Sequence, residues 1–151
     1  MNILLIGDCR TGKTSYTRRL TENEFCESYI ATIAKELNVY VYKDQVIYIH
    51  DCSGLDRYEA INKMYYENAS GFIIMYTDTY PDSWIKKIPI DKPFICVQNK
   101  SDICHGGKIQ INCKDGINIT KPIEILFPKM ETPEIFTWYS FIEYLLSFIK
   151  F

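Results

Sequence analysis

Near the start of the chain, Gly7-Asp8-Cys9-Arg10-Thr11-Gly12-Lys13-Thr14 fits the pattern G-x-x-x-x-G-K-[ST] residue for residue. A loop of this kind turns successive backbone N–H groups, here those of Asp8, Cys9, Arg10, Thr11, Gly12, Lys13, Thr14 and Ser15, onto one point where a polyphosphate can sit. Gly7 and Gly12 let the main chain come close, Lys13 supplies a cation for the outer phosphates, and the Thr14 hydroxyl is a ligand for Mg²⁺. The setting suits the chemistry. Ile3-Leu4-Leu5-Ile6 reads as a buried strand before the loop, and Ser15 to Leu20 can be helical after it, so a helix dipole adds to the cradle.

Two more polar stretches end apolar runs. Val46-Ile47-Tyr48-Ile49 leads into Asp51-Cys52-Ser53-Gly54, and Pro93-Phe94-Ile95-Cys96-Val97 leads into Asn99-Lys100-Ser101-Asp102. Leu37 to Tyr42 and Val46 to Ile49 form a hairpin around Lys43-Asp44-Gln45, and alternation in its first arm predicts an edge strand with one wet face. Tyr58 to Asn68 has a helical pattern with Ile61, Met64 and Tyr65 on one face, and Gly71 to Tyr76 is an apolar strand. A short helical segment at Ser83 to Ile88 stops at Pro89. Ile109 to Lys114 reads as a last strand before an Asp115-Gly116 turn. Thr120 to Glu124 starts a helix that Pro128 ends, and Thr132-Pro133-Glu134 starts another running to Lys150. Strands alternating with helices predict an α/β fold with a mostly parallel six-stranded sheet flanked by helices. Ligands in such sheets sit at the strands' carboxyl ends, where Gly7, Asp51 and Asn99 all fall.

The 151 residues suit one domain, and a net charge of −2 gives no general reason to expect nucleic acid, so a nucleotide has to be attracted locally. Six cysteines show no C-x-x-C pair and no zinc spacing, and MNILLIGDCR has no signal-peptide pattern, which points to a reduced, cytoplasmic protein. Cys104, His105 and Cys113 lack a fourth ligand, so the metal expected is the nucleotide's Mg²⁺ alone.

Taken together, these motifs resemble the Ras superfamily of small GTPases, the Rab-like branch in particular, over roughly residues 1 to 127. The resemblance implies the P-loop small G-domain fold and binding of GTP and GDP with Mg²⁺. Tyr29-Ile30-Ala31-Thr32-Ile33, with Thr32 nineteen residues after Lys13, is similar to the first switch. By that resemblance Phe25 packs on the base, Tyr29 covers the phosphates, and Thr32 binds Mg²⁺ and the γ-phosphate. Asp51-Cys52-Ser53-Gly54 matches the D-x-x-G of the second switch, with Asp51 holding Mg²⁺ through water and the Gly54 N–H sensing the γ-phosphate. Asn99-Lys100-Ser101-Asp102 matches N-K-x-D; an Asp carboxylate accepts hydrogen bonds from guanine N1 and the 2-amino group, a donor pair that adenine lacks. Asn112-Cys113-Lys114 stands where the family has S-A-K, with the Cys113 N–H available to guanine O6. Effectors and regulators would engage residues 25–37 and 54–68.

The chain departs from the pattern in several places. Leu55 replaces the glutamine that orients the attacking water, which predicts weak intrinsic hydrolysis with Lys13, Thr32 and Gly54 in place. Cys9 and Arg10 occupy positions that are small in Ras, and Arg10 is expected to face solvent. Nine residues between Asp102 and Asn112 predict that the helix after N-K-x-D is reduced or missing. The hairpin between the switches is shorter than in Rab relatives, and His50 stands where they have tryptophan, as a packing residue. The end of the chain carries no lipid-anchor motif. Residues 133–150 predict an apolar helix packed on the domain, in a 131–151 segment, with a homodimer or membrane-surface contact as the second reading; Glu143 argues against a membrane span.

Overall fold

The computed structural model describes residues 1–28, 30–100 and 109–131. Tyr29, Asp102 with the segment expected to lack a helix, and the apolar segment 132–151 lie outside the described residues.

The elements run β1 (Asn2–Ile6), α1 (Lys13–Glu22), β2 (Lys35–Tyr42), β3 (Gln45–Cys52), α2 (Glu59–Lys63), β4 (Gly71–Tyr76), α3 (Asp82–Ile85), β5 (Phe94–Gln98), β6 (Ile109–Gln110) and α4 (Lys121–Glu131), with a 3₁₀ turn at Asp56–Tyr58. They build a six-stranded sheet in the order β2-β3-β1-β4-β5-β6. Only β2 and β3 pair antiparallel; the rest of the sheet is parallel. The apolar run of β1 is explained by burial on both faces. Ile3 and Leu5 pack on one side with Ile47, Ile49, Ile73 and Met75 against Tyr16 and Leu20 of α1 and Ile123, Leu126 and Phe127 of α4. Leu4 and Ile6 pack on the other with Phe72 and Ile74 against Tyr66, Ala69 and Trp84.

α1 is a polar helix with only two large apolar anchors, Tyr16 and Leu20, four residues apart on one face. Its threonines bond back to the preceding turn, Thr17 Oγ1 to Thr14 O (3.0 Å) and Thr21 Oγ1 to Thr17 O (2.8 Å), so they compete less with the helix for their polar groups. The hairpin turns through Lys43 and Asp44, both at positive φ (50° and 60°), as the twist of a two-residue connection requires. β2 is the edge strand expected, but its wet face carries Leu37, Val39 and Val41, while Tyr40 and Tyr42 turn inward. The rings reach the helix layer, and Tyr42 meets Phe127 edge to face with centroids 5.1 Å apart.

Three expectations are corrected. The helix over Tyr58 to Asn68 is α-helical only to Lys63 and continues in tight turns, with N–H groups of Tyr65, Tyr66 and Ala69 bonding three residues back. Its inward face is Asn62, Tyr66 and Ala69, and Ile61 and Met64 are exposed. The buried Asn62 Nδ2 donates to Ser53 O at 2.9 Å, and that bond sets the rotation. α4 runs through Pro128 instead of ending there, because Ile123, Leu126 and Phe127 bury one face and outweigh one missing N–H donor. The last strand is only Ile109–Gln110; Asn112 then bridges Ile117 across the Asp115-Gly116 turn.

Candidate nucleotide-binding site

The phosphate loop links the carboxyl end of β1 to α1. Gly7 (φ 136°) and Gly12 (φ 92°) lie where an L side chain is strained, and a Cβ would run into Met75 O at the first and Asn99 Nδ2 at the second. β5 ties the loop down from the side. Asn99 Nδ2 donates to Thr11 O and Lys100 Nζ to Arg10 O, both at 2.9 Å. Inside the loop Thr11 Oγ1 donates to Asp8 O (3.0 Å), and the buried Lys13 Nζ donates to Gly7 O (2.9 Å) and Asp8 O (2.7 Å). Two of the three ammonium N–H groups are thereby placed, leaving the third for an anion. Burial pushes the Lys13 pKa down, an effect opposed first by the charge of Asp51.

Next to Lys13 in the chain, Thr14 of α1 meets Asp51 of β3 and Thr32 of the loop between α1 and β2. Thr14 Oγ1 lies 2.6 Å from Asp51 Oδ2 and 2.9 Å from Thr32 Oγ1. Because the ionised carboxylate only accepts, Thr14 donates to Asp51 and accepts from Thr32. Asp51 Oδ1 is buried with no partner among the described residues, and burial raises this carboxyl from 3.8 to about 6 against the opposing Thr14 bond and Lys13 charge. A buried acidic oxygen beside two hydroxyls is a hard-donor set that fits Mg²⁺, which takes one or two carboxylates and keeps its waters. Gly54 approaches the phosphate loop from the second switch; a Cβ there would lie 2.6 Å from Gly7 O and 2.7 Å from Cys9 N. Leu55 follows, half-buried.

A cleft of about 550 Å³ runs from this cluster across the ends of β1 and β5. Cys9, Arg10, Ser15, Phe25, Lys100 and Asn112 line it together with Gly12, Lys13, Thr14, Thr32 and Gly54. Arg10 is exposed at the rim with φ 63°. At the far end Asn112 organises its own loop. Its Oδ1 accepts from the N–H groups of Lys114 (3.0 Å) and Asp115 (3.1 Å), and its Nδ2 donates to Asp115 Oδ2 (2.6 Å). The Cys113 N–H, expected to be available, donates to Asn99 Oδ1 at 3.3 Å, since the same side chain that braces the phosphate loop also reaches this amide. Lys114 pairs with Glu27 at 3.0 Å across the mouth, with both side chains largely exposed.

Tyr29 and Asp102 fall outside the described residues; the remaining predicted residues gather in this one region. Sequence reading missed two neighbours. Trp84 of α3 donates from Nε1 to Asp8 Oδ1 at 2.8 Å, and no motif announces it. Arg19 bonds the loop after Asn112 from behind, its only signal being its place in the last turn of α1. His50, expected to pack, does stack on Tyr65 and is hydrogen-bonded as well. Lys35 Nζ can only donate, so His50 Nδ1 accepts from it (3.0 Å) and Nε2–H donates to Asn2 Oδ1 (3.1 Å).

A phosphate loop between β1 and α1 of a largely parallel sheet, with its cleft at the carboxyl ends, defines a P-loop nucleotide-binding protein. A model of the Ras family matches residues 2–133. The chain is 30% identical to the Ras-related protein RabT1 of Dictyostelium discoideum over 84% of this chain and 72% of that one. With Rab-1C of the same organism the identity is 32%, over 87% and 71%. Human Rab-15 is 40% identical over 49% of this chain and 37% of its own. The chain belongs to the Ras family and is a Rab-like small GTPase.

Proposed function

We propose that this chain is a molecular switch that binds GTP and GDP with Mg²⁺ and hydrolyses GTP slowly. The observation that carries the reading is the meeting of Thr14, Thr32 and Asp51 oxygens, with the Asp51 carboxyl in electrostatic reach of Lys13. Thr14 and Thr32 would ligate the metal, and Asp51 would hold it through water. Bound Mg²⁺ would neutralise charge on the phosphate oxygens. The chain's own contribution is positional and electrostatic: backbone N–H groups of residues 8 to 15 cradle the phosphates and Lys13 reaches the outer ones. The Gly54 N–H, brought against the phosphate loop, would sense the terminal phosphate, which water would attack in line. Leu55 offers neither donor nor acceptor to that water. On the base side Phe25, Asn99, Lys100, Asp102 and the loop Asn112-Cys113-Lys114 would select guanine.

Similarity to Rab proteins supports a place in membrane-traffic regulation, with partners on residues 25–37 and 54–68. The protein would work in the cytoplasm, peripheral to membranes through those partners; no described helix is long and apolar enough to cross one. Leu55 favours one second reading, a GTP-loaded module that occupies Rab effectors or regulators without turning over. Nucleotide extracted from purified protein, followed by timed single-turnover hydrolysis, tests both. Bound guanine nucleotide with slow turnover is expected. GTP retained without turnover selects the second reading, adenine nucleotide overturns both, and turnover at an ordinary Rab rate overturns the role given to Leu55.

A further inference from the structure

We infer that Arg19 is a positioning residue for base recognition: its guanidinium holds the loop that reads the purine's 6-oxo group and the ring that packs on the base in one fixed arrangement. The inference rests on the guanine-nucleotide reading above and names a residue outside its motifs.

Arg19 lies in the last turn of α1 and spends its fork on three stretches of chain. Nε donates to Cys113 O at 2.9 Å and Nη2 to Lys114 O at 2.6 Å. Nη1 donates to Asn23 O at 2.9 Å, where α1 ends in a left-handed residue (φ 57°). The guanidinium carbon also sits 5.9 Å from the centroid of Phe25, within cation–π range. One planar cation thus joins the end of α1, the ring at the start of the first switch and two consecutive carbonyls of the far loop, ninety-four residues away for Cys113.

The two carbonyls matter because peptide units are planar and trans, so each C=O fixes the opposite direction of the N–H in its own unit. Holding Cys113 O and Lys114 O toward α1 orients the N–H groups of Lys114 and Asp115 away from it. These N–H groups meet Asn112 Oδ1, and the Cys113 N–H meets Asn99 Oδ1. Both partners are amide carbonyl oxygens at a cleft lined by Asn99, Asn112 and Cys113. The Cys113 N–H, which the guanine reading assigns to the 6-oxo group, lies in the preceding peptide unit; it meets Asn99 Oδ1 at the cleft, and Arg19 fixes it through the carbonyl of the same residue. A 6-oxo purine presents an acceptor of the kind that Asn99 Oδ1 supplies there, and a 6-unsubstituted purine does not. Lysine at this position keeps the charge but has no fork, so it cannot span two successive carbonyls and Asn23 at once.

The test compares the full chain with Arg19→Ala and Arg19→Lys for release of GDP and of 2-aminopurine riboside diphosphate, which keeps the 2-amino group and both phosphates but lacks the 6-oxygen. Wild type is expected to hold GDP the longer. In both variants GDP release speeds up by about tenfold or more, the scale of losing charge-assisted hydrogen bonds, while release of the analogue changes little, so the preference collapses. Equal acceleration of both ligands would show that Arg19 supports the fold in general and overturns the inference. Wild-type behaviour in Arg19→Lys overturns it too, because charge and not the fork would then suffice. A wild-type chain that binds no guanine nucleotide sinks the underlying reading instead, a result distinct from tight GDP binding that is indifferent to Arg19.

Discussion

At the scale of single residues, Asp51 and Leu55 set the limits of the site. Burial raises the Asp51 carboxyl from 3.8 to about 6, so the folded nucleotide-free chain holds a proton there that the unfolded chain has released. Stability of that state therefore falls as pH rises from 3.8 to about 6. Above this window the ionised group costs up to about 3 kcal/mol. Asp51→Asn is expected to raise the melting temperature of nucleotide-free protein at neutral pH while losing Mg²⁺-dependent retention of GDP; a lower melting temperature would mean that the charge is already compensated. Leu55 makes the complementary prediction. On the proposed reading of Leu55, Leu55→Gln would supply an amide able to orient water, and single-turnover GTP hydrolysis should rise by at least about tenfold; an unchanged rate would show that another step limits turnover.

At the scale of elements, α3 is only Asp82–Ile85, yet it joins the phosphate loop to the second switch. Trp84 is buried, donates to Asp8, and carries Lys87 4.4 Å from its ring centroid. Lys87 in turn pairs with Glu59 of α2 at 3.1 Å. Trp84→Phe keeps the ring and removes the donor. Loss of one bond to a carboxylate should cost about 1–3 kcal/mol, read as a lower melting temperature together with severalfold faster GDP release. Lower stability without faster release would confine Trp84 to the core. The motif-bearing elements were legible beforehand because strand-loop-helix chemistry is local: Ile3 to Ile6, the two glycines and Lys13-Thr14 suffice. The buried face of α2 is not legible locally: Ile61 and Met64 have the spacing of a buried face, whereas the bond from Asn62 to Ser53 O rotates them outward. Local periodicity contains nothing of a partner nine residues away.

At the scale of the molecule, the outer face of the hairpin is apolar and exposed. Val39 lies opposite Tyr48 and Val41 opposite Val46, with Leu37 opposite His50. This surface adjoins both switches and suits a partner better than a core. Leu37→Lys should leave melting temperature and GDP release unchanged, within about 0.5 kcal/mol, while weakening partner capture; a marked loss of stability would mean that the face is covered. His50 anchors the inner end of this face, stacked on Tyr65 with centroids 6.2 Å apart. Its pKa is lowered by burial and then by Lys35, so the unfolded chain binds the proton more readily. The His50 contribution to stability is present at neutral pH and is lost as pH falls below 6.5, the ordinary histidine value. Thermal melts at descending pH, compared with His50→Gln, would show a smaller acid loss in the variant.

The sequence by itself determined the fold class and the phosphate loop between β1 and α1, and it set Gly7, Asp51 and Asn99 at strand ends, because each depends on contiguous residue types: apolar runs, glycines where backbone must come close, and polar groups directly after the runs. Tertiary structure decided what those motifs lean on. Arg19 reaching Cys113 and Lys114, Trp84 reaching Asp8, and Asn99 bracing both Thr11 and Cys113 join residues far apart in the chain. Their side chains meet only after the parallel sheet has brought α1, α3 and the ends of β1 and β5 to one edge, and no local pattern can encode that meeting.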